Sequence, residues 1–184
     1  MRIISGKYKG RRILAPKNLP IRPTTDLAKE SLFNILNNYY HFDEVRVLDL
    51  FSGSGGISYE FGSRGCEDIT SVDADFGCIR FINQISDQFE MDIKTVKSDV
   101  FSFLEKNRSE YDVIFADPPY NFTQDKFEKI VQLVFENELL AEEGMLIVEH
   151  STHTNLEAND NFSHSKKYGS SIFSFFIKEE EDSE

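Results

Sequence analysis

The sequence predicts an α/β fold: a mostly parallel sheet with helices on both faces and an antiparallel hairpin at one edge. Three observations predict it. Short apolar runs of strand length alternate with amphipathic stretches of helical period along most of the chain. One run, Val45–Phe51, ends in Ser52-Gly53-Ser54-Gly55-Gly56 and passes directly into a helical pattern. Polar or glycine positions of functional type follow the first four strands: Gly53, Asp73, Asp99 and Asp117. Ligands of parallel sheets bind at that end of the strands.

The elements read in order as follows. Residues 2–15 alternate loosely around Gly6 and Gly10, the pattern of a small hairpin. Pro16, Pro20 and Pro23 mark an extended linker. Thr24 or Thr25 caps a helix running to about Tyr39, with Leu32, Ile35, Leu36 and Tyr39 on its buried face. After the first strand and its glycine loop, a helix runs from Ile57 to about Arg64. Ile69–Asp73 is the second strand. Asp75–Phe89 follows as an amphipathic helix, with Ile79, Ile82, Ile85 and Phe89 on one side. Ile93–Lys97 is the third strand, and a short helix runs from Asp99 through about Lys106. Tyr111–Ala116 is the fourth strand, Gln124–Glu136 a helix, and Met145–Glu149 the fifth strand. Phe162–Tyr168 and Ile172–Ile177 form the antiparallel pair, turning at Gly169-Ser170. The domain reading is a basic hairpin or arm over 1–24, one α/β domain over 25–178, and a disordered acidic tail over 179–184.

With 184 residues, 40 % of them hydrophobic, the chain is long enough for one domain with a real core. No apolar run approaches the ~20 residues of a membrane span, and the N-terminus lacks a signal-peptide core. Cys66 and Cys78 read as buried thiols in a reducing, cytoplasmic setting. The net charge of −12 argues against a nucleic-acid partner until its distribution is considered. Residues 1–25 hold Arg2, Lys7, Lys9, Arg11, Arg12, Lys17 and Arg22 and no acid, a local +7 against −19 for the rest. This stretch is either a solvated arm or a phosphate-contacting one. Its place ahead of a base-binding motif favours the second, with Lys7, Lys9, Arg11, Arg12 and Arg22 as the phosphate contacts. If RNA is the substrate, removing residues 1–22 weakens RNA binding and leaves cofactor binding intact.

That motif is Asp117-Pro118-Pro119-Tyr120, at the mouth of the fourth strand. The prolines remove two backbone donors and stiffen the turn, so nearby carbonyl oxygens can face a ligand without competing N–H groups. Asp117 adds a charged acceptor and Tyr120 a flat face. The set suits a planar ring with an exocyclic amino group, a nucleobase. The glycine loop lacks the third glycine of the dinucleotide fingerprint, since that place holds Ser58. Asp49-x-Phe51-x-Gly53-x-Gly55 instead resembles the first motif of S-adenosylmethionine-dependent methyltransferases. There the acid faces the cofactor's ammonium and the glycines admit its amino-acid end. Asp73, about twenty residues on, is placed for ribose hydroxyls or as a cap to the next helix. Asp99 can accept from an adenine amino group or cap the helix starting at Val100, and both roles can coexist.

The chain as a whole resembles the RsmD-type methyltransferases, which modify a guanine N2 in bacterial 16S ribosomal RNA. The resemblance covers about residues 1–177. It rests on Arg2-Ile3-Ile4-Ser5-Gly6-Lys7 with Gly10-Arg11, and on Arg22-Pro23-Thr24-Thr25-Asp26 leading into Glu30–Leu36. It continues through Leu48–Gly55, Ser63-Arg64-Gly65, Asp117–Tyr120 and Tyr168-Gly169. It implies a Rossmann-like methyltransferase fold and S-adenosylmethionine as cofactor. Asp49, Phe51, Gly53, Ser54, Gly55, Asp73, Ala74, Asp99 and Val100 would bind that cofactor, and Asp117, Pro118 and Tyr120 would act in catalysis. The partner is ribosomal RNA or an assembling small subunit, met by a monomer without metal or membrane. The chain departs from the family in having Leu27 and Lys29 where arginines are common, and Asp73 where Glu is frequent.

The four histidines form no ligand set, because Glu149-His150-Ser151-Thr152-His153 lacks helical i, i+4 spacing. Two other readings share the site: an adenine-N6 methyltransferase of DNA or RNA, and a non-catalytic module that binds S-adenosylmethionine or RNA. A nicotinamide oxidoreductase is disfavoured by Ser58.

Overall fold

The computed structural model describes residues 1–180; the acidic-tail reading falls in part on residues 181–184, outside the described residues. Seven strands make one sheet: β1 Arg46–Leu50, β2 Asp68–Asp73, β3 Ile93–Lys97, β4 Tyr111–Ala116, β5 Leu140–His150, β6 Phe162–Tyr168 and β7 Ser171–Ile177. Their order is β3-β2-β1-β4-β5-β7-β6. β1 to β5 pair in parallel, and β7 pairs antiparallel with both β5 and β6. This is a Rossmann-like sheet with an antiparallel edge, and its order reverses between β1 and β4, where such sheets place their ligand crevice.

The helices are α1 Asp26–Leu36, α2 Gly56–Ser63, α3 Phe76–Gln88, α4 Val100–Lys106 and α5 Gln124–Glu136. Residues on opposite pleats of β1 choose opposite cores. Leu48 and Leu50 join Ile114, Leu146 and Val148 under α4 and α5, whereas Val47 joins Val113, Phe115, Met145 and Ile147 under α1 and α2. Burial on both faces explains why these strands read as continuous apolar runs. Side-chain caps fix the helix starts: Thr25 accepts from Ala28 N–H, Asp75 from Cys78 N–H, Asp99 from Ser102 N–H and Thr123 from Lys126 N–H.

Three expectations change. α1 stops at Leu36 rather than near Tyr39, because the apolar face ends there and Asn37 caps it; Tyr39 is exposed. β5 begins at Leu140, five residues early. The exposed Glu142 and Glu143 hid this start, since pairing with β4 continues across an irregularity between Tyr111 and Val113. The N-terminal segment pairs with itself through one Arg2–Arg12 bridge rather than two regular strands.

That segment is docked, not free. Ile3 and Ile13 are buried against Tyr59, Phe81, Ile82, Ile85 and Phe89 of α2 and α3 and the turn after α3. Glu60, fully buried on α2, accepts the backbone N–H of Ile4 at 2.8 Å and of Ser5 at 3.1 Å. The same carboxylate meets Arg64 Nε at 2.9 Å and Lys29 Nζ at 3.6 Å. Lys29, where the family commonly has arginine, is therefore a buried partner of Glu60 rather than an exposed cation. Burial lowers its pKa, and Glu60 opposes that shift.

Candidate active site

The register aligns the exits of the central strands. Leu50 lies beside Val72 and Ala116, and Ala116 beside Val148. The next residues, Phe51, Asp73, Asp117 and Glu149, therefore end up on one rim. A cavity of about 670 Å³ opens there, within the range of small-molecule sites.

Its floor begins at Asp49. This carboxyl is buried in β1, and burial raises its pKa to about 7, with Asp73 adding to the rise. The Ser58 hydroxyl donates to Asp49 Oδ2 at 2.6 Å and lies 2.6 Å from Ser71 Oγ. The serine that spoils a dinucleotide fingerprint thus orients the acid that a methyltransferase motif needs. Phe51 takes φ 54°, a strained conformation for a non-glycine residue at the strand exit.

Asp73 ties two elements together. Its Oδ2 accepts the Gly53 N–H at 2.9 Å and its Oδ1 accepts the Asp75 N–H at 2.9 Å. The helix cap is Asp75, so Asp73 does not serve that role. Asp99 caps α4 and lines the cavity as well. Ser54, Ala74 and Val100 complete the predicted lining. Gly55 does not line the cavity. It caps α2 at φ 89°, and a Cβ there would lie 2.6 Å from Tyr59 Cζ and 2.9 Å from Ile82 Cγ1. Its glycine is required by packing inside the protein.

On the opposite wall stand Asp117, Pro118, Pro119 and Tyr120. Pro118 is buried and Tyr120 is 78 % exposed, leaving its ring free at the mouth. The Phe122 N–H donates to the Pro119 carbonyl at 3.0 Å and closes the turn. Phe122 packs edge-on to Phe51 and stacked on Phe101, so aromatic rings brace the turn from behind.

Residues 19–24 form a third wall, a strap that sequence reading treated as linker. Ile21 lies against Gly53, whose Cβ would sit 3.3 Å from Ile21 Cγ2. Arg22 lines the cavity, whereas Lys7, Lys9, Arg11 and Arg12 are exposed and lie outside its lining. Met1 and Lys29 also line it. The expectation that removing residues 1–22 spares cofactor binding is thereby corrected, since those residues supply part of the wall. Among the described residues, no group of three His, Cys, Asp or Glu side chains could hold a metal ion.

Comparison with known proteins agrees with this architecture. The family model described as "Conserved hypothetical protein 95" matches residues 1–177. The chain belongs to this family, the RsmD-type methyltransferases. Two relatives are similar over most of their length. "Putative rRNA methyltransferase YlbH" of Bacillus subtilis is 37 % identical over 161 residues, covering 85 % of each chain. "Ribosomal RNA small subunit methyltransferase D" of Escherichia coli K12 is 31 % identical over 157 residues, covering 85 % of this chain and 77 % of that one. A solved structure described as "Putative methyltransferase yhhF from Escherichia coli" superposes with a TM-score of 0.83 at 28 % identity, covering 96 % of both chains. In this RsmD-type chain, sequence reading missed Ser58, Thr24, Lys29 and Glu149. Their roles depend on contacts across the fold.

Proposed function

We propose that this protein transfers a methyl group from S-adenosylmethionine to the exocyclic N2 amino group of a guanine in small-subunit ribosomal RNA. The observation that carries the reading is the convergence of the Gly53 loop and Asp117-Pro118 on one cavity. The site's chemistry argues for an amino group on a planar ring; the family resemblance argues for guanine and for ribosomal RNA.

The cavity's donor set fits the cofactor. Asp49 suits its ammonium, Asp73 its ribose hydroxyls, and Asp99 its adenine amino group. When bound, S-adenosylmethionine supplies an electrophilic methyl group on a sulfonium. The protein's task is to present the nucleophile. A guanine N2 lone pair is delocalised into the ring and attacks poorly. Asp117 and the Pro118 carbonyl accept its two N–H groups, which favours a pyramidal nitrogen. Their pull strengthens as positive charge develops on that nitrogen, so it acts on the transition state. Tyr120 stacks on the base, which must be splayed from the RNA at a cost of a few kcal/mol.

Mass spectrometry of ribosomal RNA nucleosides from cells with and without the gene tests this reading. Loss of one N2-methylguanosine from small-subunit RNA is expected. An unchanged nucleoside profile would contradict it.

A further inference from the structure

Glu149 lies at the end of β5 beside Asp117, on the sheet face shared with α1. It is 3 % exposed and does not line the cavity. Its Oε2 accepts the Thr24 hydroxyl at 2.9 Å. The register of β4 and β5 sets its carboxyl beside that of Asp117, one residue past the Ala116–Val148 pair. Two neighbouring carboxyls held out of water cannot both ionise at the ordinary pH, so one proton held by the pair is favoured over two adjacent charges.

We propose that Asp117 and Glu149 work as one carboxyl pair sharing a proton, with Glu149 the positioning residue that controls the charge on Asp117. The inference rests on the reading of Asp117 as the acceptor of the substrate amino group. The Thr24 hydroxyl decides which partner keeps the negative charge. Glu149 receives it; Asp117 receives no hydroxyl among the described residues. The charge therefore stays on Glu149 and the proton on Asp117. The other charged groups facing the pair are Arg22 on the strap, which favours ionisation of both, and Asp49 on β1, which opposes it at Asp117. Burial and Glu149 raise Asp117 well above the usual carboxylate range. Burial raises Glu149 too, against the pull of the Thr24 hydroxyl.

The consequence for catalysis is a trade. An Asp117 carboxylate whose charge is disfavoured accepts hydrogen bonds more strongly, so it polarises an amino group better once ionised. In return it is silenced at a higher pH than an ordinary aspartate. Thr24 also makes this pair sensitive to the strap, because the residue that orients Glu149 belongs to the cavity wall.

Carbon-13 NMR titration of the side-chain carboxyls, together with the pH profile of methyl transfer, tests the proposal. In Glu149→Gln the Asp117 resonance should titrate at lower pH than in the wild type. The acid-side loss of kcat/KM should move to lower pH with it. A merely structural role for Glu149 would reduce the rate at every pH without moving that limb. In Asp117→Asn the Glu149 resonance should likewise titrate lower, which keeps the test open should Glu149→Gln fail to fold. Unmoved resonances in the folded variants would overturn the pair. Moved resonances with an unmoved acid limb would overturn its control of the working charge. Moved resonances in a wild type that transfers no methyl group to RNA would leave the pair standing and overturn the proposed function instead.

Discussion

The Gly53 backbone N–H donates to Asp73 Oδ2 at 2.9 Å, so the loop after β1 is fastened to the end of β2. One carboxylate thus shapes the glycine loop and is, on the proposed function, the acceptor for a ribose. Asp73→Ala should lower affinity for S-adenosylhomocysteine by about tenfold or more, since a charge-assisted contact is worth ~1.5–3 kcal/mol. Calorimetry checks this, and an unchanged Kd would remove Asp73 from the site.

The two loop glycines should fail differently. Gly55→Ala meets both a φ of 89° and contacts of 2.6 Å and 2.9 Å with Tyr59 and Ile82. Left-handed backbone costs ~1–2 kcal/mol and overpacking ~1–3 kcal/mol, so urea unfolding should register a loss of about 2–5 kcal/mol. Gly53→Ala, at φ 55° and 3.3 Å from Ile21, should lose roughly 1–2 kcal/mol and act mainly on cofactor affinity. A Gly55→Ala protein as stable as wild type would contradict the packing assignment.

Asp49 gives the cofactor site a pH dependence. Its pKa is raised to about 7, so the free protein keeps this carboxyl largely neutral in mild acid. Binding a cationic ammonium needs the ionised form. Affinity for S-adenosylhomocysteine should therefore climb as pH rises through about 7, below the ligand ammonium's own loss of charge near ~8. The folded pKa of this acid is raised, so the sign for stability is opposite: stability from Asp49 is fully present below the ordinary carboxyl pKa of 3.8 and is lost as pH rises from there to about 7. Ser58→Ala removes the donor that favours the carboxylate, and should move the binding midpoint to higher pH. A pH-independent Kd between 6 and 7.5 would count against Asp49 as the ammonium's partner.

The body of the protein is strongly acidic, so on the proposed function the basic N-terminal segment should supply the RNA attraction. Deleting that segment would confound the test, because Glu60 and the cavity wall depend on it. Replacing Lys7, Lys9, Arg11 and Arg12 with Gln touches only exposed cations outside the cavity. The slope of log affinity against log salt should flatten by roughly 2.8–3.6, from ~0.7–0.9 per phosphate contact. Cofactor binding should stay the same. Equal slopes for both proteins would place the RNA elsewhere.

The sheet was legible because each central strand is buried on both faces, so it reads as a short apolar run without competing periodicity. Two helix starts were legible through local caps, Thr25 and Asp99, whose partners lie three residues away, whereas the cap of α3 is Asp75 and not Asp73. The motif residues could be placed on one rim because parallel strands share a direction. What stayed hidden rests on distant contacts. Thr24 finds Glu149 across 125 residues, and Glu60 finds Ile4 across 56. No local pattern distinguishes Glu149 from a strand-end surface acid, or Lys29 from a solvated helix cation. The linker's role as a cavity wall was hidden for the same reason, since Pro16, Pro20 and Pro23 specify an extended path without saying what it covers.

The most direct test of the site as a whole is transfer of isotope-labelled methyl from S-adenosylmethionine to small-subunit ribosomal RNA by wild type and Asp117→Ala, with digestion to nucleosides. The account predicts label in N2-methylguanosine with the wild type. In Asp117→Ala, turnover should fall by roughly 10²–10³-fold with little change in cofactor affinity, the scale for losing one preorganised polar contact. Near wild-type turnover in Asp117→Ala, or label in another nucleoside, would contradict it.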